Sequence, residues 1–185
     1  MKSNSKRNRA SRADWLEAAL DAIYREGPQG LNIQALARRL NISKTSFYWH
    51  FKDKADLVDA VVDHWQHEQT EVITNNSLLL EMPPAQRLAK AMELIDQHDL
   101  GSFDEALRNW GRAEPRVANA LRETNKQRLE FASRTFKEQG FSGDEVACRS
   151  ALFIGYQSTE RAVFPEFSAA KRRTLRRERL KLLLG

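Results

Sequence analysis

The sequence predicts an all-α protein of about nine helices, and three observations support this fold class. Along most of the 185 residues, apolar side chains recur at intervals of three and four, which is the period of an amphipathic helix. The eight glycines and five prolines are sparse and fall between the periodic segments. No segment alternates apolar and polar residues as a half-buried strand does. We therefore expect helices joined by short turns.

The first predicted helix runs from Ser11 to Glu26. A serine suits its N-cap, because the hydroxyl oxygen accepts from backbone N–H groups that have no partner within the helix. "GPQG" at 27–30 then ends it. The residues that form its apolar stripe are Trp15, Ala18, Ala19, Ala22 and Ile23.

Two short helices follow, with a tight break at "NIS" between them. Asn32 is expected to cap the first of the two, residues 33–40, and Ser43 is expected to cap the second. The positions of the first that should face inward are Ile33, Leu36, Ala37 and Leu40.

The third predicted helix, residues 44–51, carries more polar and aromatic side chains than packing requires. Phe47 and Phe51 supply an apolar face at i, i+4. The other faces carry Lys44, Thr45, Ser46, Tyr48, Trp49 and His50. A short helix, a tight turn and a second short helix form a helix-turn-helix, whose second helix lies in the major groove of DNA. The alternative is a solvated turn between two core helices.

The charge distribution supports a nucleic-acid partner for the N-terminal part. Residues 1–54 hold 11 Lys and Arg against 5 Asp and Glu, whereas residues 55–170 hold 12 against 19. Residues 171–185 again are basic, with seven against one. A basic segment attracts polyanions, of which nucleic acid is the commonest large one. We therefore predict an N-terminal arm and DNA-binding domain at 1–54 and a second helical domain at 55–185.

The second domain continues the helical pattern. A fourth helix, capped by Asp53, should reach Asn76 and turn Leu57, Val61, Trp65 and Val72 inward. Pro115 suits a first helical turn and Gly140 suits a helix end. Further helices are expected at 85–98, after "GSFDE", at 115–139, at 143–164 and at 166–184.

The stretch "REGPQGLNIQALARRLNISKTSFYWHFKDKADL" resembles the tetracycline-repressor (TetR) family of bacterial transcription regulators. The shared pattern is Ala-x-x-Leu, a turn that ends in Ser, Tyr-x-His-Phe, and Lys-x-Asp-Leu at the start of the fourth helix. The resemblance covers about residues 11–65. It implies a three-helix DNA-binding head followed by a ligand-binding and dimerisation domain.

The resemblance and the donor chemistry together assign contacts in the head. Expected base contacts come from Gln34, Lys44, Thr45 and Trp49, since lysine suits guanine acceptors and a threonine methyl suits the thymine methyl. Expected phosphate contacts come from Asn32, Ser46, Tyr48, His50, Lys52 and Lys54. Arg7, Arg9 and Arg12 in the basic arm are expected along the DNA backbone or in the minor groove.

The function that the resemblance implies is a repressor that leaves a palindromic double-stranded operator when it binds a small ligand. An apolar or aromatic effector is expected, because the candidate pocket residues are Met92, Phe103, Trp110 and Tyr156, although each also suits plain core. The alternative function is a non-specific nucleic-acid-binding or scaffolding protein that uses the same basic head.

A homodimer is expected, because two-fold operators are matched by two-fold proteins. Small residues near one face of the penultimate helix form the candidate interface: Ala147, Ser150, Ala151, Gly155 and Ser158. The alternative is tight packing inside one subunit. In the basic segment 171–185 we expect leucines to pack and arginines to pair with the acidic body, rather than to bind nucleic acid or membrane.

Several function classes are not expected. The sequence has no phosphate-binding glycine loop and no nucleophile elbow, so an enzyme is not predicted. Cys148 stands alone, which excludes an intrachain disulfide. No cofactor or metal is predicted. Two groups of residues could bind a metal, although solvated helix surface suits them better: His64, His67, Glu68 and Glu71, and His98 with Asp96 or Asp99. No apolar run approaches the ~20 residues that cross a bilayer, and no apolar stretch follows the charged N-terminus, so a cytoplasmic protein is expected.

Overall fold

The computed structural model describes residues 10–101 and 103–185, apart from the side chain of Gln69. Within these residues the chain forms ten α-helices and no strand. It divides into two compact units between Trp65 and Gln66, later than the boundary after residue 54 expected from the sequence.

The N-terminal unit contains three α-helices and two 3₁₀ turns. The α-helices are α1 (Arg12–Glu26), α2 (Ile33–Arg39) and α3 (Lys54–Gln66), and the 3₁₀ turns are Pro28–Gly30 and Lys44–Trp49. The C-terminal unit begins with a π turn (His67–Glu71), which leads into α4 (Val72–Thr74). The helices that follow are α5 (Ser77–Glu81), α6 (Pro84–His98), α7 (Asp104–Gly111), α8 (Pro115–Glu138), α9 (Gly143–Val163) and α10 (Ala169–Leu184).

A reciprocal cap starts α1, as expected for Ser11. The Ser11 hydroxyl accepts from the Asp14 N–H at 3.2 Å, and the Asp14 carboxylate accepts from the Ser11 N–H at 2.6 Å. The hydrogen bonds from Ser11 lower the pKa of Asp14. After the helix ends, Gly30 approaches α1 so closely that a Cβ there would lie 2.6 Å from the Ala22 carbonyl oxygen. Glycine is therefore required at this turn.

The predicted third helix is a 3₁₀ segment, Lys44–Trp49, rather than an α-helix. Its first bond joins the Ser46 N–H to the Ser43 carbonyl at 3.0 Å, in the i→i+3 pattern. The Ser43 side chain forms no cap bond, so its expected capping role is wrong. Asn41 makes the preceding turn with φ of 54°, a left-handed conformation that asparagine adopts more readily than most residues.

The fourth predicted helix is interrupted by the π turn, and this changes which residues face inward. Asp53 caps α3 as expected, accepting from the Asp56 N–H at 2.9 Å. A π turn adds a residue to the helical repeat, so the inward position passes to Ile73, which is 6% exposed. Val72, expected inward, is 36% exposed.

The core of the C-terminal unit consists of two apolar clusters around α6 and α8. One cluster contains Leu88, Met92, Ala132, Phe136, Val146, Phe153 and Leu183. The other contains Ile73, Leu79, Ala91, Leu100 and Phe131. The short helix α5, which the sequence did not indicate, begins at an Asn76 cap and contributes Leu79 to the second cluster.

Arg87 holds the end of α5 from a buried position on α6. Its side chain is 4% exposed, and its guanidinium donates to the carbonyls of Leu79, Leu80 and Met82 at 2.8–3.1 Å. It also pairs with Glu138 at 2.7 Å. These bonds supply donors to carbonyls at the end of a helix, where the Leu79 carbonyl also accepts from the Met82 N–H at 3.1 Å.

The basic segment at the C-terminus packs as expected against acidic residues of its own unit. Arg172 pairs with Glu160 at 3.3 Å and Arg176 pairs with Asp96 at 2.8 Å. Burial raises the pKa of Asp96. Leu183 is buried, although Leu182 remains 80% exposed. None of the helices in the described part of the chain is long and apolar enough to cross a membrane.

Candidate nucleic-acid interface and ligand cavity

A group of exposed polar and aromatic side chains lies on the N-terminal unit, and we call it the head surface: Gln34, Lys44, Thr45, Tyr48 and Trp49. Tyr48 is 56% exposed and Trp49 is 63% exposed. Large rings are usually buried when nothing outside the chain covers them. Four of the five side chains come from one six-residue segment, so a small area carries several kinds of donor and two rings.

Phe47 anchors this segment to the core of the unit. Its side chain is fully buried, with its ring edge-on to Trp15 at 5.4 Å and stacked on Phe51 at 5.3 Å. Such ring pairs add stability beyond the area that they bury. Because Phe47 fixes the middle of the segment, the exposed side chains of Lys44, Thr45, Tyr48 and Trp49 are held on a rigid support.

Two residues that were predicted to contact DNA, Arg12 and His50, instead have partners inside the N-terminal unit. The His50 Nε2 donates to the Ala10 carbonyl at 2.9 Å, and the Arg12 guanidinium lies 5.2 Å from the centre of the Phe51 ring. His50 therefore positions the chain that enters α1, and this nitrogen is not available to a phosphate. Arg7 and Arg9, also predicted to contact DNA, lie outside the described residues.

Ser46 differs from the other predicted contacts because it faces inward. It is 8% exposed, and its buried hydroxyl has no hydrogen-bond partner among the described residues. The position follows from the 3₁₀ geometry, with Ser46 beside the buried Phe47. The expected phosphate contact is thus not supported by the placement of the side chain.

Three further predicted phosphate donors, Asn32, Lys52 and Lys54, are exposed beside helix starts. Asn32 uses its side-chain oxygen to cap α2, accepting from the Ala35 N–H at 3.1 Å. Lys52 and Lys54 flank the Asp53 cap of α3 and are exposed. Both ammonium groups therefore face solvent near the start of a helix.

Arg38 is a candidate that the sequence analysis missed. It is exposed on α2, one turn after Gln34, and its guanidinium forms no ion pair with the described residues. The adjacent Arg39 instead pairs with Asp21 and Glu26 of α1. The four-residue spacing from Gln34 was the available signal, since it places both side chains on one helix face.

The C-terminal unit contains a mainly apolar cavity. Together with its opening to solvent, the cavity has about 450 Å³ of empty space. The apolar lining residues are Ile73, Ile95, Leu100, Phe131, Phe153 and Ile154. The polar ones are Thr70, Thr74, Asp104, Arg128, Gln157 and Ser158, and Gly101 completes the wall.

A buried ion pair forms part of the cavity wall. Asp104 is 1% exposed and accepts two bonds from Arg128, at 2.5 and 3.3 Å. The Arg128 Nε also donates to the Thr70 hydroxyl at 3.1 Å. The two charges compensate each other, and the other residues of the lining are neutral.

The four residues predicted to bind the ligand do not line this cavity. Met92 is fully buried in the first apolar cluster, and Trp110 is 5% exposed on α7. Phe103 precedes α7. Tyr156 points elsewhere, donating to Glu160 at 2.8 Å beneath the Arg179 guanidinium. Burial raises the pKa of Tyr156 and lowers that of Arg179.

The small residues of α9 that were predicted to form the dimer interface lie in two different environments. Ala147, Ala151 and Gly155 are exposed, together with Leu152 at 61%. Ser150 is fully buried and its hydroxyl accepts from Ser133 at 3.2 Å. Ser158 lines the cavity. The first set remains a candidate for a dimer interface, whereas the two serines pack inside the subunit.

The possible metal ligands considered from the sequence do not form a cluster. His67 and Glu71 contact each other at 3.0 Å, one turn apart, and this hydrogen bond raises the pKa of His67. Across the described residues, no group of three or more His, Cys, Asp or Glu side chains has the geometry of a metal site.

Comparison with known proteins shows that the N-terminal unit is similar to bacterial regulatory proteins. The profile of the family described as "Bacterial regulatory proteins, tetR family" matches residues 16–61. The tetracycline repressor protein class A from Escherichia coli is 40% identical over 48 residues, which are 26% of this chain and 22% of that protein. The match thus spans about a fifth of that relative's length.

Two wider similarities extend beyond this unit. An HTH-type transcriptional regulator from Saccharopolyspora erythraea is 26% identical over 157 residues, covering 74% of this chain and 65% of that protein. The structure of the regulator FadR from Bacillus subtilis in complex with stearoyl-CoA matches with a TM-score of 0.69 and 16% identity. It covers 95% of this chain and 98% of FadR. The fold is therefore shared over both units, and the N-terminal unit is similar over residues 16–61 to the TetR family of bacterial regulatory proteins.

Proposed function

We propose that this protein is a sequence-specific DNA-binding transcription regulator, acting as a repressor that a small ligand releases from a palindromic operator. The observation that carries the proposal is the head surface on its rigid support. Exposed Lys44, Thr45, Tyr48 and Trp49 stand on a segment whose centre, Phe47, is fully buried. This combination suits insertion of the segment into a major groove.

The exposed side chains of the N-terminal unit would make two kinds of contact with DNA, to base edges and to phosphates. Gln34, Lys44, Thr45 and Trp49 would contact base edges and thymine methyl groups. Tyr48 and the cationic residues Arg38, Lys52 and Lys54 would contact phosphates, and the Asn32 amide would assist them. Phosphate contacts fix register on the duplex but carry no direct sequence information.

A homodimer follows from the need for two reading segments. One such segment contacts only a few base pairs, and two-fold proteins match half-sites about 34–36 Å apart. The exposed residues of α9, Ala147, Ala151, Leu152 and Gly155, are suited to contact a second copy because small side chains allow close approach.

The cavity of the C-terminal unit is the proposed effector site. Its apolar lining and few polar groups are typical of small-molecule pockets, and the FadR structure of the same fold holds stearoyl-CoA. A ligand would change DNA affinity through different affinities for two conformations of the protein.

Selection of duplexes from a random pool by the purified chain tests the proposal. We expect enrichment of one inverted repeat. A non-specific nucleic-acid-binding or scaffolding protein would instead retain duplexes without a common sequence, and that outcome would replace the proposed function.

A further inference from the structure

We infer that the ligand cavity accepts an uncharged, mainly apolar molecule with a hydrogen-bond acceptor, and that the Gln157 side-chain amide orients it. The inference rests on the proposed function, because it takes this cavity as the effector site.

The charges of the lining disfavour an anionic ligand. Arg128 is the cation of the cavity wall, and Asp104 already compensates it through bonds of 2.5 and 3.3 Å. A ligand carboxylate would bring a second negative charge beside the buried Asp104 without a second cation. Burying an uncompensated charge is costly, so a neutral ligand fits this wall better.

The donors of the lining identify the anchoring group. The Thr74 hydroxyl donates to the Thr70 carbonyl at 3.2 Å, and the Ser158 hydroxyl donates to the Gly155 carbonyl at 3.3 Å. In contrast, the Nε2 of Gln157 is buried and has no acceptor among the described residues. An unpaired buried donor is destabilising, and an acceptor oxygen on a ligand would satisfy it.

The size of the cavity limits the ligand. Together with its opening to solvent, the cavity has about 450 Å³ of empty space. At Gly101 the wall approaches α9 so closely that a Cβ would overlap the Gln157 carbonyl oxygen. A small molecule with one carbonyl is therefore expected, with its apolar part against Ile95, Phe131 and Phe153.

Three probes of similar size test this assignment on the full chain without DNA. They are 4-phenyl-2-butanone, which is neutral with a carbonyl, butylbenzene, which lacks oxygen, and 4-phenylbutanoate, which is anionic at neutral pH. Dissociation constants from calorimetry should be at least ~5-fold lower for the ketone than for either analogue, as expected for one satisfied buried donor.

Gln157→Leu should remove the advantage of the ketone over butylbenzene while leaving butylbenzene binding intact. Leu129→Ala, at an exposed position of α8 outside the cavity, is the matched control and should retain the advantage. Tighter binding of 4-phenylbutanoate, an unchanged ketone advantage in Gln157→Leu, or no saturable binding of the ketone would each overturn the inference.

Failure of this experiment is distinguishable from failure of the proposed function. The binding measurement uses no DNA, so a negative result leaves selection of an operator unaffected. Conversely, a chain that binds the ketone but enriches no duplex sequence would retain the cavity assignment and lose the regulatory role.

Discussion

Ser46 and Tyr48 lie two positions apart on one 3₁₀ segment, yet their surroundings are opposite. Ser46 is 8% exposed, whereas Tyr48 is 56% exposed. The difference arises because Phe47 packs in the core, so the side of the segment that carries Ser46 is buried and the opposite side is exposed. At the residue scale, polarity alone thus does not identify a DNA contact, and the backbone conformation decides which side chains face outward.

Lys44→Ala and Tyr48→Phe should distinguish contacts to bases, which set sequence preference, from contacts to phosphates, which do not. Removal of the lysine should relax preference at one position of each half-site, at a cost of about 1–3 kcal/mol for the preferred base. Loss of the tyrosine hydroxyl should weaken binding to all sequences about equally. Binding isotherms on duplexes with single base changes measure both effects. If Tyr48→Phe changed the base preference and Lys44→Ala did not, the orientation proposed for this segment would be incorrect.

Ser46→Ala should leave DNA affinity unchanged, because the hydroxyl is buried. The free energy of unfolding should stay constant or rise by up to about 1 kcal/mol, since an unpaired buried hydroxyl is removed. Urea unfolding and duplex binding of the same preparation provide the two values. A clear loss of DNA affinity with unchanged stability would show that Ser46 turns outward to meet a phosphate.

At the element scale, the apolar period was sufficient to locate most helices. Predicted residues 143–164 correspond to α9 at Gly143–Val163, and predicted residues 115–139 correspond to α8 at Pro115–Glu138. Long helices repeat the period several times, which averages out exceptions. The π turn at His67–Glu71 and the five-residue α5 escaped detection because each is shorter than two turns of periodic pattern.

The cavity escaped prediction for a different reason. Its walls combine residues from the π turn to α9, and only tertiary packing brings these together. Trp110 and Met92 were selected by residue type, which does not distinguish a core position from a pocket position. The head surface was more accessible to prediction, since most of its residues belong to one short segment and need little knowledge of packing.

Arg87→Ala should destabilise the C-terminal unit strongly. The substitution leaves the carbonyls at the end of α5 without their donor in a buried site, which should lower the free energy of unfolding by about 2–4 kcal/mol. Arg134→Ala is a matched control, because Arg134 pairs with the same Glu138 at 2.8 Å but is 63% exposed. Its cost should stay below about 1 kcal/mol. Equal losses in urea unfolding at one protein concentration would contradict the role assigned to Arg87.

At the scale of the whole molecule, the proposed function requires two copies of this chain on a two-fold operator, and the exposed residues of α9 are the proposed contact surface. Gly155→Leu tests that surface without disturbing the subunit, since a Cβ at Gly155 meets nothing within 4 Å. We expect sedimentation to show monomers with unchanged helical content. A variant that remains dimeric would exclude Gly155 from a close contact between copies.

The most direct test of the central claim, sequence-specific DNA binding by the head surface, is one affinity ratio. Dissociation constants are measured at the same salt concentration for the selected duplex and for a duplex of the same composition in shuffled order. We predict that the selected duplex binds ~10³-fold or more tightly, and that both affinities fall with salt through the phosphate contacts. Nearly equal affinities would contradict the account, because they would leave Gln34, Lys44, Thr45 and Trp49 without a role in reading sequence.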